Sequence, residues 1–253
     1  MGWSPDQYLK FAAPRLRPAL DLLARIDLEQ PGLIYDLGCG AGNVTALLAS
    51  RWPQARIVGV DSSSAMLDRA AKLLPQAEWV LADLAQWQPS EAADLVFSNA
   101  ALHWVDDHAR FLPWLVRALA PGGVLALQMP ANFTAPSHRS LFAAALSGPW
   151  QDLLRPLLRE NPVGSPEDNW AILAEVRPEI WETTYLHALT GEDPVLEWIM
   201  GTSLRPLLEA LPEGWQGDFL AVCRNLLAKA YPRRANGVTL FPFRRQFILA
   251  KKI

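Results

Sequence analysis

Residues 35–43, YDLGCGAGN, place Gly38, Gly40 and Gly42 at alternate positions between an apolar run and the start of a helical pattern. Glycine lets a ligand approach the backbone closely and lets the chain turn without a Cβ clash, so a strand–turn–helix of this kind can cradle a nucleotide-like ligand. Asp36 ends the first apolar run, where its carboxylate can organise the loop or receive a ligand's amino group. Asp61 ends the second run, twenty-one positions after Gly40, with Ser62 beside it. An acid there can accept hydrogen bonds from both ribose hydroxyls. Asp83 ends a third run, where its carboxylate can meet an adenine amine while Leu84 packs on the ring. Asn99 ends a fourth. Taken singly, Asp61, Asp83 and Asn99 are also good turn or cap residues; their succession at four strand ends favours binding.

The elements that would carry these residues alternate. Residues 33–38, 55–61, 77–83, 93–99 and 120–130 read as strands, the last opened by a Pro-Gly-Gly turn, and 43–52, 64–74 and 107–120 have helical spacing. Continuously apolar strands suit a parallel sheet covered on both faces, and short right-handed crossovers make it doubly wound. The pattern breaks after Met129. Residues 130–175 are rich in Pro and Trp with helical fragments, 179–189 look strand-like, and 193–200, 204–211 and 218–230 suggest helices. The closing stretch, VTLFPFRRQFILAKK, reads as a terminal strand in which Pro242 points to an edge or an irregularity. One domain over 1–253 is expected, with a cofactor core at 30–130 and helical acceptor-site or lid regions at 131–178 and 190–232.

DLGCGAGN, VGVDSSSAML, ADLAQW and FSNAALHWVDD are similar to the motifs of class I S-adenosylmethionine-dependent methyltransferases. YLKFAAPRLRPALDLLARI, LALQMPANF, WETTYLHAL, GTSLRPLLEAL and FPFRRQFILA extend the resemblance over nearly the whole chain, to the trans-aconitate 2-methyltransferase family. That resemblance implies a Rossmann-like α/β fold, a mostly parallel seven-stranded sheet with an antiparallel terminal strand and a helical insertion or lid. It also implies S-adenosylmethionine as cofactor, with contacts from Asp36, Gly38, Gly40, Asp61, Ser62, Asp83, Leu84 and Asn99. The implied reaction moves a methyl group to a carboxylate oxygen of a small polycarboxylic acid, giving a monomethyl ester and S-adenosylhomocysteine. Residues 131–133 and 157–173 depart from the family's pattern, which bears on the identity of the acid rather than on methyl transfer.

A carboxylate is already ionised near neutral pH, so this chemistry needs alignment and desolvation rather than a general base or a covalent nucleophile. Arginine suits a polyanionic acceptor because its planar guanidinium grips a carboxylate through two bonds. Arg15, Arg17 and Arg205 are the leading candidates, ahead of Arg244 and Arg245; each also reads as a solvated or locally paired surface charge. Tyr8 and Phe11 can order an N-terminal segment over the acceptor, or simply pack a helix. His103 is a positioning candidate, and Trp104, Gln128, Asn132 and Trp170 are candidate acceptor contacts. No metal is expected, since the adjacency of His103, Asp106, Asp107 and His108 does not make a convergent ligand set.

Twenty-three basic against 26 acidic residues give a formal charge of -3, which offers no field for steering onto nucleic acid or an anionic membrane. There is no Asn/Asp-Pro-Pro-aromatic motif of amino-methylating enzymes. Two cysteines, Cys39 and Cys223, argue against a disulfide scaffold. The opening MGWSPDQYLKF lacks an export pattern, and no apolar run has the length of a membrane span, so a cytoplasmic protein is expected. The competing readings are methyl transfer to another small acid or oxygen nucleophile, an S-adenosylmethionine-binding interaction module, and NAD-dependent oxidoreduction. DLGCGAGN and the downstream Asp83 and Asn99 disfavour the last.

Overall fold

Seven strands form one sheet in the order β3-β2-β1-β4-β5-β7-β6. The computed structural model describes residues 12–253, with side chains from Leu16 onward; Tyr8, Phe11 and the Arg15 side chain lie outside the described residues. The elements run α1 (Ala12–Leu23), β1 (Leu33–Leu37), α2 (Asn43–Arg51), β2 (Arg56–Asp61), α3 (Ser64–Leu73), β3 (Glu78–Leu81), β4 (Ala93–Asn99), α4 (His108–Arg117) and β5 (Leu119–Pro130). There follow α5 (Pro136–Ala145), α6 (Gln151–Leu154), α7 (Pro166–Ile172), β6 (Glu179–Leu189), α8 (Pro194–Met200), α9 (Arg205–Ala210), α10 (Glu213–Ala230) and β7 (Thr239–Lys251). Strands β1 to β5 pair in parallel, and β7 lies antiparallel to β5. The expected Rossmann-like sheet with its antiparallel terminal strand is therefore present. Chain order reverses between β1 and β4, and ligands of open α/β sheets bind at such a switch point, outside the carboxyl ends of the strands.

By contacts the chain divides into two compact units. One comprises residues 16–130, 162–183 and 245–253. It holds β1 to β5 and the β5-paired end of β7, and every residue of β1 is buried, as a strand covered on both faces requires. Among the described residues, the other comprises 12–15, 131–161 and 184–244. Its core gathers Leu141, Trp150, Trp198, Leu204, Phe219 and Phe241. There the Trp150 ring meets Phe219 edge-on at 5.4 Å and its Nε1–H donates to the Ala144 carbonyl at 2.9 Å. These two contacts satisfy both the apolar body and the polar edge of the indole.

Three local details differ from the sequence reading. The Pro-Gly-Gly segment interrupts β5 rather than preceding it: Leu119 already pairs with Ala93, and pairing resumes at Leu95 with Val124. Gly122, at φ 76°, absorbs the bulge. Helix α10 starts at Glu213, ahead of the expected 218, despite Gly214 and Gly217. Gln216 compensates by donating to the Leu208 and Leu211 carbonyls at 3.1 and 3.2 Å, which closes the end of α9. Strand β7 lies inside the sheet, not at its edge; Pro242 is tolerated because pairing with β5 begins only at Arg245.

Candidate active site

Register brings the predicted strand-end residues to one face of the sheet. Asp36 pairs with Gly59 and Phe97, Asp61 lies two residues beyond Gly59, and Asn99, two beyond Phe97, pairs with Gln128. With side chains alternating along strands, Asp36, Asp61, Asn99 and Gln128 share a side at the carboxyl ends.

The glycine loop above β1 is held by its own backbone. Gly38, Gly40 and Gly42 all have positive φ, and the Gly38 and Cys39 amides donate to the Val60 carbonyl at 2.8 and 3.1 Å. A Cβ on Gly38 would lie 2.1 Å from the Ala101 Cβ, whereas one on Gly40 would have nothing within 4 Å. The loop is thus pressed against the β4 exit at one glycine and faces open space at the next. Asp61 fastens its rim, one carboxylate oxygen accepting from the Gly40 amide at 2.9 Å and the other from the Ser63 amide at 2.9 Å. Ser62, between them, is exposed.

Asp36 is 1% exposed and accepts a 2.6 Å hydrogen bond from the Thr45 hydroxyl of α2. Burial pushes its carboxyl up from the ordinary 3.8 to about 7, the Thr45 bond opposes that rise, and the negative charge of Asp61 adds to it. Sequence reading missed Thr45, which looks like an ordinary inner-face helix residue. Cys39 is buried, and burial with the charges of Asp36 and Asp61 pushes its thiol upward, the opposite of what a nucleophile needs.

Asp83 is exposed, and its side chain accepts from the Ala85 amide at 3.0 Å, so it organises the turn after β3. Leu84 is half-buried, its Cδ1 3.9 Å from where a Gly38 Cβ would stand. The Asn99 Oδ1 is buried without a hydrogen-bond partner, as are both polar atoms of the Gln128 amide. Just beyond β4, Ala100 takes φ 56°, a left-handed conformation that a non-glycine residue adopts at a cost. A short 3-10 turn, Leu102–Trp104, then sets His103 buried and Trp104 half-exposed, with ring centroids 4.8 Å apart.

The other acceptor candidates divide. Arg17 and Arg205 each reach an acid one helical turn on, Asp21 at 2.9 Å and Glu209 at 2.8 Å, in exposed pairs. Trp170 on α7 is half-exposed. Asn132 is buried with neither side-chain amide atom partnered. Arg245, ranked low from sequence, is only 6% exposed. Among the described residues, no three His, Cys, Asp or Glu side chains converge as a metal-binding group, and no helix is long and apolar enough to cross a membrane.

A methyltransferase-domain family model matches residues 34–123, the stretch that carries the glycine loop and β1 to β4. A trans-aconitate 2-methyltransferase from Azoarcus sp. (strain BH72) is 47% identical over 98% of this chain and 98% of its own length. The protein of that name from Streptomyces coelicolor is 48% identical, over 99% of this chain and 86% of its own. Among solved structures, a Bacillus halodurans protein described as a putative methyltransferase superposes with a TM-score of 0.60 at 16% identity, covering 93% of this chain and 99% of that one. A Haemonchus contortus phosphoethanolamine-type N-methyltransferase in complex with S-adenosylhomocysteine gives 0.56 at 17% identity, covering 93% of this chain and 52% of that one. These likenesses establish the shared fold.

Proposed function

The chain belongs to the trans-aconitate 2-methyltransferase family, and from that premise we propose that it transfers a methyl group from S-adenosylmethionine to a carboxylate oxygen of trans-aconitate. The products are the monomethyl ester and S-adenosylhomocysteine. When bound, S-adenosylmethionine supplies an electrophilic methyl group on a sulfonium, and the chain's own residues bind, orient and desolvate.

One arrangement carries this reading: a buried carboxyl, Asp36, beside a glycine loop that faces open space at Gly40. The residues fit the cofactor. Asp61 uses one acceptor position on each oxygen for the loop and keeps others for the ribose hydroxyls. Gly38 and Gly40 shape the backbone along the ligand, Ser62 flanks the ribose, and Leu84 packs on the adenine while Asp83 holds its turn. Asn99 offers a buried carbonyl oxygen with no protein partner to the amino-acid end. Asp36 completes the match, since a buried acid gains most from a cationic ligand. On the acceptor side, Gln128 supplies uncommitted amide donors, His103 positions, and Trp104 offers an apolar wall, whereas Trp170 belongs to α7, whose Asn169 packs on the other side of the sheet. A cytoplasmic location is part of the proposal, supported by two cysteines that are both buried and free.

The test is mass-resolved product formation with S-adenosylmethionine and a panel of small carboxylates led by trans-aconitate. A gain of one methyl group on trans-aconitate, matched by S-adenosylhomocysteine, is expected. Cofactor binding with no methylated acid would refute the acceptor assignment.

Asp36 also predicts a pH effect on binding. Its raised pKa means the folded, ligand-free protein holds more protons than the unfolded chain between about 4 and 7, and loses stability as pH rises through that window. A cationic ligand favours the ionised form, so affinity for S-adenosylhomocysteine, through its amine, should rise as pH climbs through about 7 and then level off. Thr45→Val removes the hydrogen bond that favours the carboxylate and should move that rise to higher pH, while Asp36→Asn should flatten it. Calorimetric titrations across this range check both, and a flat wild-type profile would contradict the assignment.

A further inference from the structure

The face that carries Asn99 and Gln128 continues onto β7. Gln128 pairs with Phe247, and Pro130 pairs with Arg245, so Arg245 stands one side-chain row beyond Gln128 toward the carboxyl end of β5. Asn99, Gln128 and Arg245 therefore share one side of the sheet at its ligand-binding edge.

Such a row is unusual for an α/β core. Gln128 is 1% exposed and neither of its amide atoms has a hydrogen-bond partner, and the Asn99 Oδ1 is in the same state. Arg245 is itself more than nine-tenths buried. Native folds seldom leave a buried amide unused, and the planar fork of a guanidinium matches the two oxygens of a carboxylate. Strand β7 is also pinned around Arg245. Gln246, fully buried on the opposite side, accepts a 2.7 Å hydrogen bond from the Asn169 side chain. Phe247 stacks flat on Trp181, with centroids 4.9 Å apart and planes 3° from parallel. A cation and a donor amide held on two locked neighbouring strands make a preorganised carboxylate grip.

We propose that Arg245 and Gln128 bind a carboxylate of the acceptor other than the one that is methylated, and so select polycarboxylates over acids with a single carboxyl group. The inference rests on the acceptor reading above and adds the residues that enforce it. Arg245 grips both oxygens and the Gln128 amide donates to one of them. Neither takes part in bond making, so they set acceptor affinity and orientation.

The test titrates trans-aconitate into the protein saturated with S-adenosylhomocysteine, comparing wild type with Arg245→Lys, Arg245→Gln and Gln128→Leu, and measures each variant's affinity for S-adenosylhomocysteine alone. Arg245→Gln should weaken trans-aconitate binding by about 30-fold and Arg245→Lys by less, because lysine keeps the charge and loses the fork. Gln128→Leu should weaken it by about 5-fold. S-adenosylhomocysteine affinity should stay within about 2-fold of wild type throughout, and turnover at saturating acceptor should fall less than kcat/KM. Trans-aconitate affinity that survives both Arg245 substitutions would overturn the subsite alone. Parallel loss of S-adenosylhomocysteine affinity in both would overturn it in favour of a structural role. Wild-type protein that binds S-adenosylhomocysteine but not trans-aconitate would instead remove the acceptor reading beneath it.

Discussion

Replacing Asp61 by alanine is expected to weaken S-adenosylhomocysteine binding by about 100-fold, the equivalent of roughly 3 kcal/mol. Two losses combine. The ribose hydroxyls lose a charged acceptor, and the amides of Gly40 and Ser63 lose the carboxylate that ties the glycine loop to the head of α3. The second loss also lowers stability, by about 1 kcal/mol for part-buried groups, or a few degrees in Tm. Asp61→Asn should behave almost as badly, because a side-chain amide must turn its NH2 toward one of two backbone N–H donors. Since the defect lies in cofactor affinity, raising the cofactor concentration should restore much of the turnover. Calorimetric binding beside a thermal melt checks the claim; wild-type affinity in Asp61→Ala would end the ribose assignment.

Asp61 was legible because it depends on spacing alone: an acid at the end of the second strand sits beside the glycine loop that leaves the first. The same logic exposed Asp36, Gly38 and Asn99. What stayed hidden depends on register and on neighbours far apart in sequence. Arg244 and Arg245 look equivalent as a dipeptide, yet a single step along a strand reverses the side-chain direction, and only pairing with Pro130 says which of them shares the Gln128 face. Arg17 and Arg205 looked more promising, although Asp21 and Glu209 four residues on already announced helical ion pairs. Thr45 was invisible because its hydroxyl matters only once α2 folds over Asp36. Ala101 carries no chemical signal at all, and its importance is purely that of a methyl group pressed against Gly38.

That last contact separates the glycines of the loop into two kinds, and alanine at each should fail differently. At Gly38 the new Cβ would stand 2.1 Å from the Ala101 Cβ, on a backbone with φ 72°. Left-handed backbone costs a non-glycine residue about 1–2 kcal/mol, and forcing a methyl group into a filled site adds about 1–3 kcal/mol. Gly38→Ala should therefore lower stability by about 4 kcal/mol and Tm by roughly 8–16 °C, with cofactor binding lost as the loop moves. At Gly40 a Cβ meets no protein atom within 4 Å, so Gly40→Ala pays only the backbone cost of φ 55°. Its Tm should fall by a few degrees, yet affinity for S-adenosylhomocysteine should drop by more than about 10-fold, because the space its methyl group enters is the space assigned to the ligand. Adding Ala101→Gly to Gly38→Ala should return the steric part of the loss and leave the backbone part, since Ala101 supplies the clash but not the φ. If Gly40→Ala instead bound S-adenosylhomocysteine normally, no ligand would lie against that stretch of backbone. The glycine loop would then be a packing device between β1 and α2 rather than a cradle.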